Sequence, residues 1–340
     1  MSPRAHAGLL LAGIVLVLGL ALASVAKGST PLPLHSVLSS IAGPWAPQLG
    51  LHAVEPTLQR IVVDLRLPRV LLAMLVGAGL AMVGAMLQTA TRNDLADPFL
   101  FGLSSGASAG AVAVITTTGE MLGIWTLPLA ALAGGLVAAA VVLLLVQRSK
   151  GSGPEKLVLA GLAASFFFGA ITHYLVFAGD QRAAHSVLFW TLGGLGLARW
   201  DNLGLALAGF VLLAAFAASH RHALDGLLAG DETAASLGLS PARLRAEIFI
   251  VSALATACFV ALTGVIGFVG LMVPHLARSV CGALHGRLFG VSALLGAALL
   301  LASDMVCRTI LAPQELPIGI VTAAVGAVFI MLLLLRRPSH

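Results

Sequence analysis

The sequence GVIGFVGLMVPHLAR, residues 264–278, decides how the chain is interpreted. It is apolar, has glycine at positions 264, 267 and 270, and ends in Pro274-His275, with Arg278 three residues later. Small residues let helices approach closely in lipid, and proline interrupts a helix. The stretch therefore predicts two densely packed membrane helices, joined by irregular backbone that protein or a water-filled path must line.

Composition places the rest of the chain in the membrane as well. Apolar residues make up 59% of the 340 residues, charged residues make up 10%, and the mean hydropathy is +1.02. A soluble domain has about 45–50% apolar and about 25% charged residues. Continuous apolar runs, without the alternation of a membrane β-barrel, predict an all-α polytopic membrane protein. The net charge of +5 lies at segment ends and does not indicate nucleic acid, and the three cysteines lack disulfide or metal-site spacing.

Ten segments are long and apolar enough to cross a bilayer, which takes about 20 residues of helix. The first of them follows Arg4 and is interpreted as a span, because it is long and lacks a clean signal-cleavage site. The segment 202–219 is short, and 246–282 is divided into two spans. The predicted spans are 8–27, 67–91, 99–118, 125–147, 155–178, 202–219, 246–264, 266–282, 288–311 and 317–335.

Basic residues orient these spans, because cytoplasmic loops are enriched in lysine and arginine. A cytoplasmic N-terminus places most of the 19 basic residues inside, including Arg336 and Arg337. Arg60, Arg66 and Arg69 then lie outside as a cluster, which suggests an external binding role.

Two external connections are longer than a turn requires. The first, about 28–66, is rich in proline and is predicted to be irregular or partly helical. The second, about 179–201, is too short to span and too apolar for a free loop. It predicts a re-entrant or interfacial helix with tryptophan at the level of the lipid headgroups.

The cytoplasmic connection 220–245 carries its own helix signals. Asp231 is placed to cap a short helix, and acidic residues at 231 and 232 favour the first turn of that helix. Gly238 is a typical helix stop, and Pro241 is a typical first residue of the next helix. The pattern predicts a short helix, a turn and a second short helix, which serve either as a solvated connector or as a docking element for a cytoplasmic partner.

The sequence predicts no catalytic residue and no metal site. A phosphate-binding loop of the form G-x-x-x-x-G-K-[ST] is absent, because none of the three lysines follows a glycine. The acids are scattered rather than clustered around a Mg²⁺ position. Asp304 lies within a span one turn before Arg308, which favours a structural ion pair over a proton relay. His275 has no second ligand three or four residues away and is interpreted as structural.

Four motifs carry a family resemblance. They are LRLPRVLL at 65–72, RNDLADPFLFG at 92–102, the stretch 264–278, and Asp304 and Arg308 followed by ELPIG at 315–319. In this order they resemble the R-x-P-R, R-N-P-L-A-D-P-x-x-L-G, G-x-I-G-F-V-G-L-x-V-P-H-x-x-R and D-x-x-x-R…E-L-P-x-G motifs of FecCD-type permeases. Those are the membrane subunits of ABC importers for iron-siderophores, heme and cobalamin. Asp94 stands where the family usually has proline.

The resemblance implies a single transmembrane permease domain over residues 1–340, with about ten helices and the fold of a type II ABC importer permease. Two copies of the chain would form a homodimer in membrane lipid, with a cytoplasmic ABC ATPase dimer and a periplasmic substrate-binding protein as partners. The chain itself would bind no cofactor, since ATP would be used by the ATPase. The path would run between 155–178 and 317–335 of each copy, and the protein would be a multi-pass component of a bacterial inner membrane.

The resemblance also assigns site residues. Arg66, Arg69 and Arg308 would dock the binding protein, which agrees with the external arginine cluster, because guanidinium groups bind carboxylates bidentately. Coupling helices at about 224–240 would sit in a cleft of the ATPase. The coupling residues are Asp231, Glu232, Leu237, Gly238 and Leu239, and the structural motif comprises Gly264, Gly267, Gly270, Pro274, His275 and Asp304.

We therefore expect an importer permease that carries a ferric siderophore or heme, with cobalamin as the third alternative. The sequence does not distinguish these cargoes. A secondary transporter driven by an ion gradient is an alternative from another class, and it would have to use Asp304. A lipid-modifying membrane enzyme is a third, but the sequence shows no acid cluster or nucleophile–base pair for it.

Overall fold

A computed structural model of the chain describes residues 2–28, 30–46, 48, 54–117, 123–149, 153–179 and 181–335, with the side chains of Pro44 and residues 181–183 left out. Every regular element in these residues is helical. The helices are α1 Pro3–Ala26, α2 Leu34–Ala42, α3 Pro56–Arg60, α4 Leu67–Thr91, α5 Leu103–Thr117, α6 Thr126–Arg148, α7 Pro154–Ala178, α8 Gln181–Thr191, α9 Trp200–Leu228, α10 Asp231–Ser236, α11 Pro241–Thr263, α12 Val269–Cys281, α13 His285–Thr309 and α14 Ile318–Leu335.

The prediction of an all-α polytopic membrane protein with about ten crossing helices is confirmed. Among the described residues, eight helices are long and apolar enough to span a membrane, and α5 and α12 are shorter apolar helices at two further predicted spans. At 1.5 Å per residue, the 13 residues of α12 cover only about 20 Å. We call the end of the bundle that holds the start of α1 the inner end, which is predicted to be cytoplasmic, and the opposite end the outer end.

Helix α4 lies at the centre of the bundle, because its neighbours can approach its glycines. A Cβ atom at Gly84 would lie 1.9 Å from the carbonyl oxygen of Gly270 in α12, and one at Gly77 would lie 2.3 Å from that of Gly296 in α13. Lipid tails are as apolar as the side chains, so such close van der Waals packing drives helix association in the membrane. Most of α4 is buried as a result.

The external connection is partly helical, as predicted. It contains α2, a 3₁₀ turn at Gly43–Trp45, α3 and a π-helical stretch at Ile61–Arg66 that leads into α4. Arg336 and Arg337 lie outside the described residues.

Three predictions about the connections need correction. Helix α9 continues to Leu228, so residues 224–228 belong to a long helix, and α10 is the one short helix within the described residues 220–245. Pro241 does open the next helix, but that helix is the 23-residue α11. The predicted helix in 179–201 exists as α8, yet its Trp190 is buried among residues of α5, α6 and α11, and the exposed tryptophan of this segment is Trp200 at the start of α9.

Candidate functional site

The stretch 264–278 forms the predicted break between two helices. Helix α11 ends at Thr263, and Gly264 has φ +64°, a value that glycine adopts without steric cost. Phe268, just before α12, has φ +69°. Pro274 cannot donate to the carbonyl of Gly270, one turn earlier. That carbonyl instead accepts a hydrogen bond from Gln88 Nε2 at 3.2 Å, so a buried amide of α4 stabilises the interrupted helix.

The end of α8, the end of α11 and the start of α14 meet at this break. The Gly194 amide donates to the Thr263 carbonyl at 2.7 Å, which joins the end of α8 to the end of α11. The Ile318 and Gly319 amides donate to the carbonyls of Gly193 and Leu192, each at 3.0 Å. The first turn of α14 is therefore held by the backbone that follows α8, which satisfies two of the N–H groups that have no partner within the helix.

A cavity of about 490 Å³ opens beside these joined segments. Helix α14 contributes one wall, and the described part of α14, residues 318–335, contains no charged residue. The lining is Asp97, Phe99, Leu100, Thr191, Leu192, Val265, Gly267, Phe268, Leu271, Gly319, Ile320 and Ala323. Asp97 is the one charged residue in this lining, so a ligand here would meet mostly apolar surface.

Asp97 holds the backbone on its side of the cavity. Its carboxylate caps the 3₁₀ turn Pro98–Phe101 by accepting a hydrogen bond from the Phe99 amide at 2.9 Å. A Cβ atom at Gly270 would lie 3.2 Å from Asp97 Oδ2, so the carboxylate also faces the start of α12. Asp97 was not among the predicted site residues, although it lies in the motif 92–102.

The predicted docking arginines lie together at the outer end, but they face inward. Arg66 is buried and donates to the carbonyls of Val25 and Thr30 at 2.7 and 2.6 Å. Arg308 is also buried and donates to Ser24 Oγ at 2.6 Å. Both guanidinium groups therefore fasten the end of α1 to α4 and α13.

Arg69 completes this outer cluster. Its guanidinium lies 2.8 Å from Asp304 and 2.9 Å from Glu315, and the Glu315 side chain is 45% exposed. The predicted Asp304–Arg308 pair is present, with 2.9 Å between Oδ2 and Nε. The carboxylate of Asp304 is thus held between two arginines at the outer end.

At the inner end, Asp231 joins α10 to α4 and α11. Gly230, and not Asp231, is the N-cap residue of α10, which corrects the predicted cap. The Asp231 carboxylate accepts two hydrogen bonds from Arg245, at 2.5 and 3.0 Å, and a further one from Arg92. The hydrogen bonds from Arg245, together with the charges of Arg245 and Arg92, lower the pKa of Asp231 below its ordinary value.

The remaining predicted coupling residues surround α10. Leu237 follows the helix and is 65% exposed, and Gly238, with φ +79°, stops the helix as predicted. Leu239 is half-buried and approaches Gly226 of α9, whereas Glu232, on the first turn of α10, is exposed. The residue that follows α10, Leu237, thus presents a large apolar side chain to solvent.

A second contact at the inner end, between Asp225 and His285, was not predicted from the sequence. Asp225 Oδ1 lies 2.7 Å from Nδ1 of the buried His285, and Nε2 of the same ring lies 2.8 Å from Thr89 Oγ1. These bonds tie α9 and α13 to α4.

His275, by contrast, packs edge-on against Phe329 of α14, with ring centroids 5.5 Å apart.

Comparison with known proteins agrees with this geometry. Residues 14–336 match the FecCD transport family. The chain is 37% identical, over 99% of its length and 98% of the relative, to the cobalamin import system permease protein BtuC of Halobacterium salinarum. It is 36% identical, over 94% of its length and 95% of the relative, to the Fe(3+) dicitrate transport system permease protein FecD of Escherichia coli. A solved structure of a "metal-chelate type ABC transporter" in an inward-facing conformation is 30% identical, with a TM-score of 0.84 over 96% of this chain and 99% of the other.

Proposed function

The chain belongs to the FecCD transport family and is an ABC importer permease, and on that premise we propose that it carries an iron chelate, either a ferric siderophore or heme, across a bacterial inner membrane from periplasm to cytoplasm. It has a transport role and no enzymatic one, and a separate ATPase chain supplies the energy of ATP hydrolysis. Two copies of the permease, an ATPase dimer and a periplasmic binding protein make up the working complex.

The observation that carries the cargo proposal is the cavity beside α14. Its volume of about 490 Å³ falls in the range of small-molecule sites, about 300–1,000 Å³. Strong ligands would trap a rigid chelate, whereas a wide, mostly apolar lining lets the chelate pass. A dehydrated metal ion would need several oxygen, nitrogen or sulfur ligands, and Asp97 alone does not supply them.

Binding measurements on the cognate external binding protein test the cargo. We expect tight binding of a ferric siderophore or of heme, and ATP-driven uptake of the same compound into proteoliposomes that contain the full complex. Cobalamin is the second candidate, because a relative of 37% identity is a cobalamin import permease. Tight binding of cobalamin, without binding of ferric siderophore or heme, would overturn the iron proposal and leave the importer in place.

An ion-driven transporter is disfavoured by the position of Asp304. A coupling acid usually lies near the middle of the membrane and faces the path, whereas Asp304 lies at the outer end between Arg69 and Arg308. Uptake into vesicles that hold a proton gradient but no ATP would contradict the ABC mechanism.

Docking of the binding protein is proposed for the outer end, with Arg69 as the most accessible of the three predicted docking arginines, Arg66, Arg69 and Arg308. Arg66 and Arg308 contribute by holding α1 against α4 and α13. We expect Arg69→Gln to slow association with the binding protein at low ionic strength, with a defect that shrinks as salt rises, because long-range steering is screened. Association is measured by stopped-flow fluorescence, and Arg4→Gln, which removes an exposed arginine at the inner end, serves as the control.

The same measurement separates docking from folding. Glu315→Gln frees Arg69 on its exposed side, so we expect it to preserve or raise the association rate. Thermal midpoints of all three variants show whether the outer end stays folded. An Arg69→Gln variant that associates at the native rate at low salt would make Arg69 a purely structural residue.

A further inference from the structure

The inner-end turn of α4, residues Gln88–Arg92, receives polar contacts from four other helices. Gln88 accepts a hydrogen bond from Arg278 of α12 at 2.5 Å, and Thr89 lies 2.8 Å from His285 of α13. Nε of Arg245 in α11 donates to the Ala90 carbonyl at 2.8 Å. Asp231 of α10 accepts from Arg92, and it is bound to Arg245 as well.

Arg245 is the link among these contacts, because one guanidinium group serves two elements. Its side chain is buried, its Nε donates to the Ala90 carbonyl in the last turn of α4, and its two terminal nitrogens donate to the Asp231 carboxylate. Such a planar fork fixes geometry as well as distance, and a lysine cannot reproduce it. Helix α10 has six residues and is too short to be stable alone, so its position depends on such attachments.

The α4 turn leads directly to the cavity. Arg92 ends the helix in the left-handed conformation, with φ +49°, and the chain then runs back through residues 93–97. Gln88 Nε2 donates to the Ala96 carbonyl at 3.3 Å, so this returning segment stays attached to α4. Asp97, Phe99 and Leu100 at its end line the cavity.

We propose that Asp231, Arg245 and the Ala90 carbonyl form a coupling linkage, through which a displacement of α10 reaches the cavity wall at residues 97–100. Arg245 is the positioning residue of the linkage, and Arg92 reinforces it. This inference rests on the proposed function, because it requires an ATPase that docks on α10. Residues 92–97 then move together with α4, and the cavity wall follows them.

The test measures cargo imported per ATP hydrolysed, in proteoliposomes that contain the permease, its ATPase and the binding protein. The variants are Asp231→Asn, which preserves the size of the side chain, and Arg245→Lys, which preserves its charge. Each removes the bidentate ion pair between the two residues. The controls are Arg243→Gln and Glu247→Gln. They break a surface ion pair on α11, the helix of Arg245, in which Arg243 Nε lies 2.9 Å from Glu247 Oε1. Because the ratio is taken per ATP hydrolysed by assembled complexes, it does not depend on how many complexes form.

We expect cargo per ATP to fall about 5- to 150-fold in both linkage variants, the range of typical coupling between sites, and to stay native in both controls. The double variant should be no worse than the poorer single variant, because both changes break one linkage. A native ratio in either variant, additive losses, or loss of ATPase and uptake in constant proportion would overturn the linkage. A native complex without ATP-driven uptake would instead overturn the proposed function, and the linkage with it.

Discussion

At the residue scale, the fold depends on places where one backbone touches another. Gly84 and Gly270 are such a pair, because the smallest possible side chain at Gly84 would collide with the Gly270 carbonyl. The same carbonyl is the one that Pro274 leaves without its helical donor and that Gln88 satisfies. Close approach and hydrogen-bond compensation therefore occur at one point, where α4 supports the interrupted helix α12.

Gly84→Ala should consequently destabilise the protein. Overpacking costs about 1–3 kcal/mol in well-packed interiors, and the neighbouring atoms here are backbone atoms that cannot rotate away. The thermal midpoint of the purified permease in detergent measures the loss. Gly19→Ala is the matched control, because a Cβ atom at Gly19 of α1 would meet nothing within 4 Å. A midpoint for Gly84→Ala equal to that of the control would show that α4 and α12 are not held at this distance.

At the scale of elements, apolar length predicts where the chain crosses the membrane but not where each helix ends. All ten predicted spans have a helix, since about 20 apolar residues are a local signal. Helix α9 nevertheless runs past 219 to Leu228, because a helix can continue after its apolar stretch has ended. Helices α5 and α12 are shorter than predicted, because the positive-φ residue Gly102 delays the start of α5, and Gly264 and Phe268 delay the start of α12.

The polar contacts were less predictable than the spans. Arg245 and the Ala90 carbonyl are separated by 155 positions in the sequence, and no local pattern pairs them. The external arginines were recognisable from their motifs, yet the burial of Arg66 depends on carbonyls of α1 and of the loop that follows it. Such partners become visible only when the helices are packed.

Helix α10 and the residues after it allow a direct test of ATPase docking. Leu237→Glu places a charge on the exposed apolar side chain, so we expect it to abolish uptake and to lower co-purification of the ATPase while the membrane dimer stays intact. The matched control is Leu284→Glu, an exposed leucine at the inner end outside α10, 55% exposed compared with 65% for Leu237. Recovery of the ATPase with Leu237→Glu at the native yield would contradict docking at this position.

Acidification should loosen the attachment of α10. Arg245 and Arg92 lower the pKa of Asp231 in the folded protein, so the stabilising contribution is present above the ordinary aspartate pKa of about 3.9 and is lost as the pH falls through the lowered value. Asp231→Asn cannot ionise and should be less stable than the native chain at pH 7. The thermal midpoints of the two proteins should therefore converge as the pH falls below the ordinary aspartate pKa, with Glu247→Gln as the control. A gap that is independent of pH would exclude this charge effect.

At the scale of the whole molecule, the bundle divides its tasks between its two ends. The outer end has arginines that fasten α1 to α4 and α13, and the inner end has α10 fastened to α4 and α11. Between these ends lie the broken helices, the first turn of α14 and the apolar cavity. The proposed sites of cargo entry, energy input and passage therefore lie in different regions of one chain, and α4 contacts all three regions.

This arrangement predicts that cargo passes the cavity beside α14. Ala323 lines the cavity, whereas Ala215 is exposed on α9, a helix outside the predicted path. Ala323→Phe should therefore obstruct a large chelate and reduce ATP-driven uptake by about tenfold, equivalent to about 1.4 kcal/mol of added barrier. Ala215→Phe adds the same ring outside both the cavity and the predicted path, and should transport at the native rate. Uptake is measured in proteoliposomes at equal amounts of assembled complex, with thermal midpoints to show that both variants are folded. If Ala323→Phe also transports at the native rate, the path lies elsewhere and the cavity is a packing feature of the monomer.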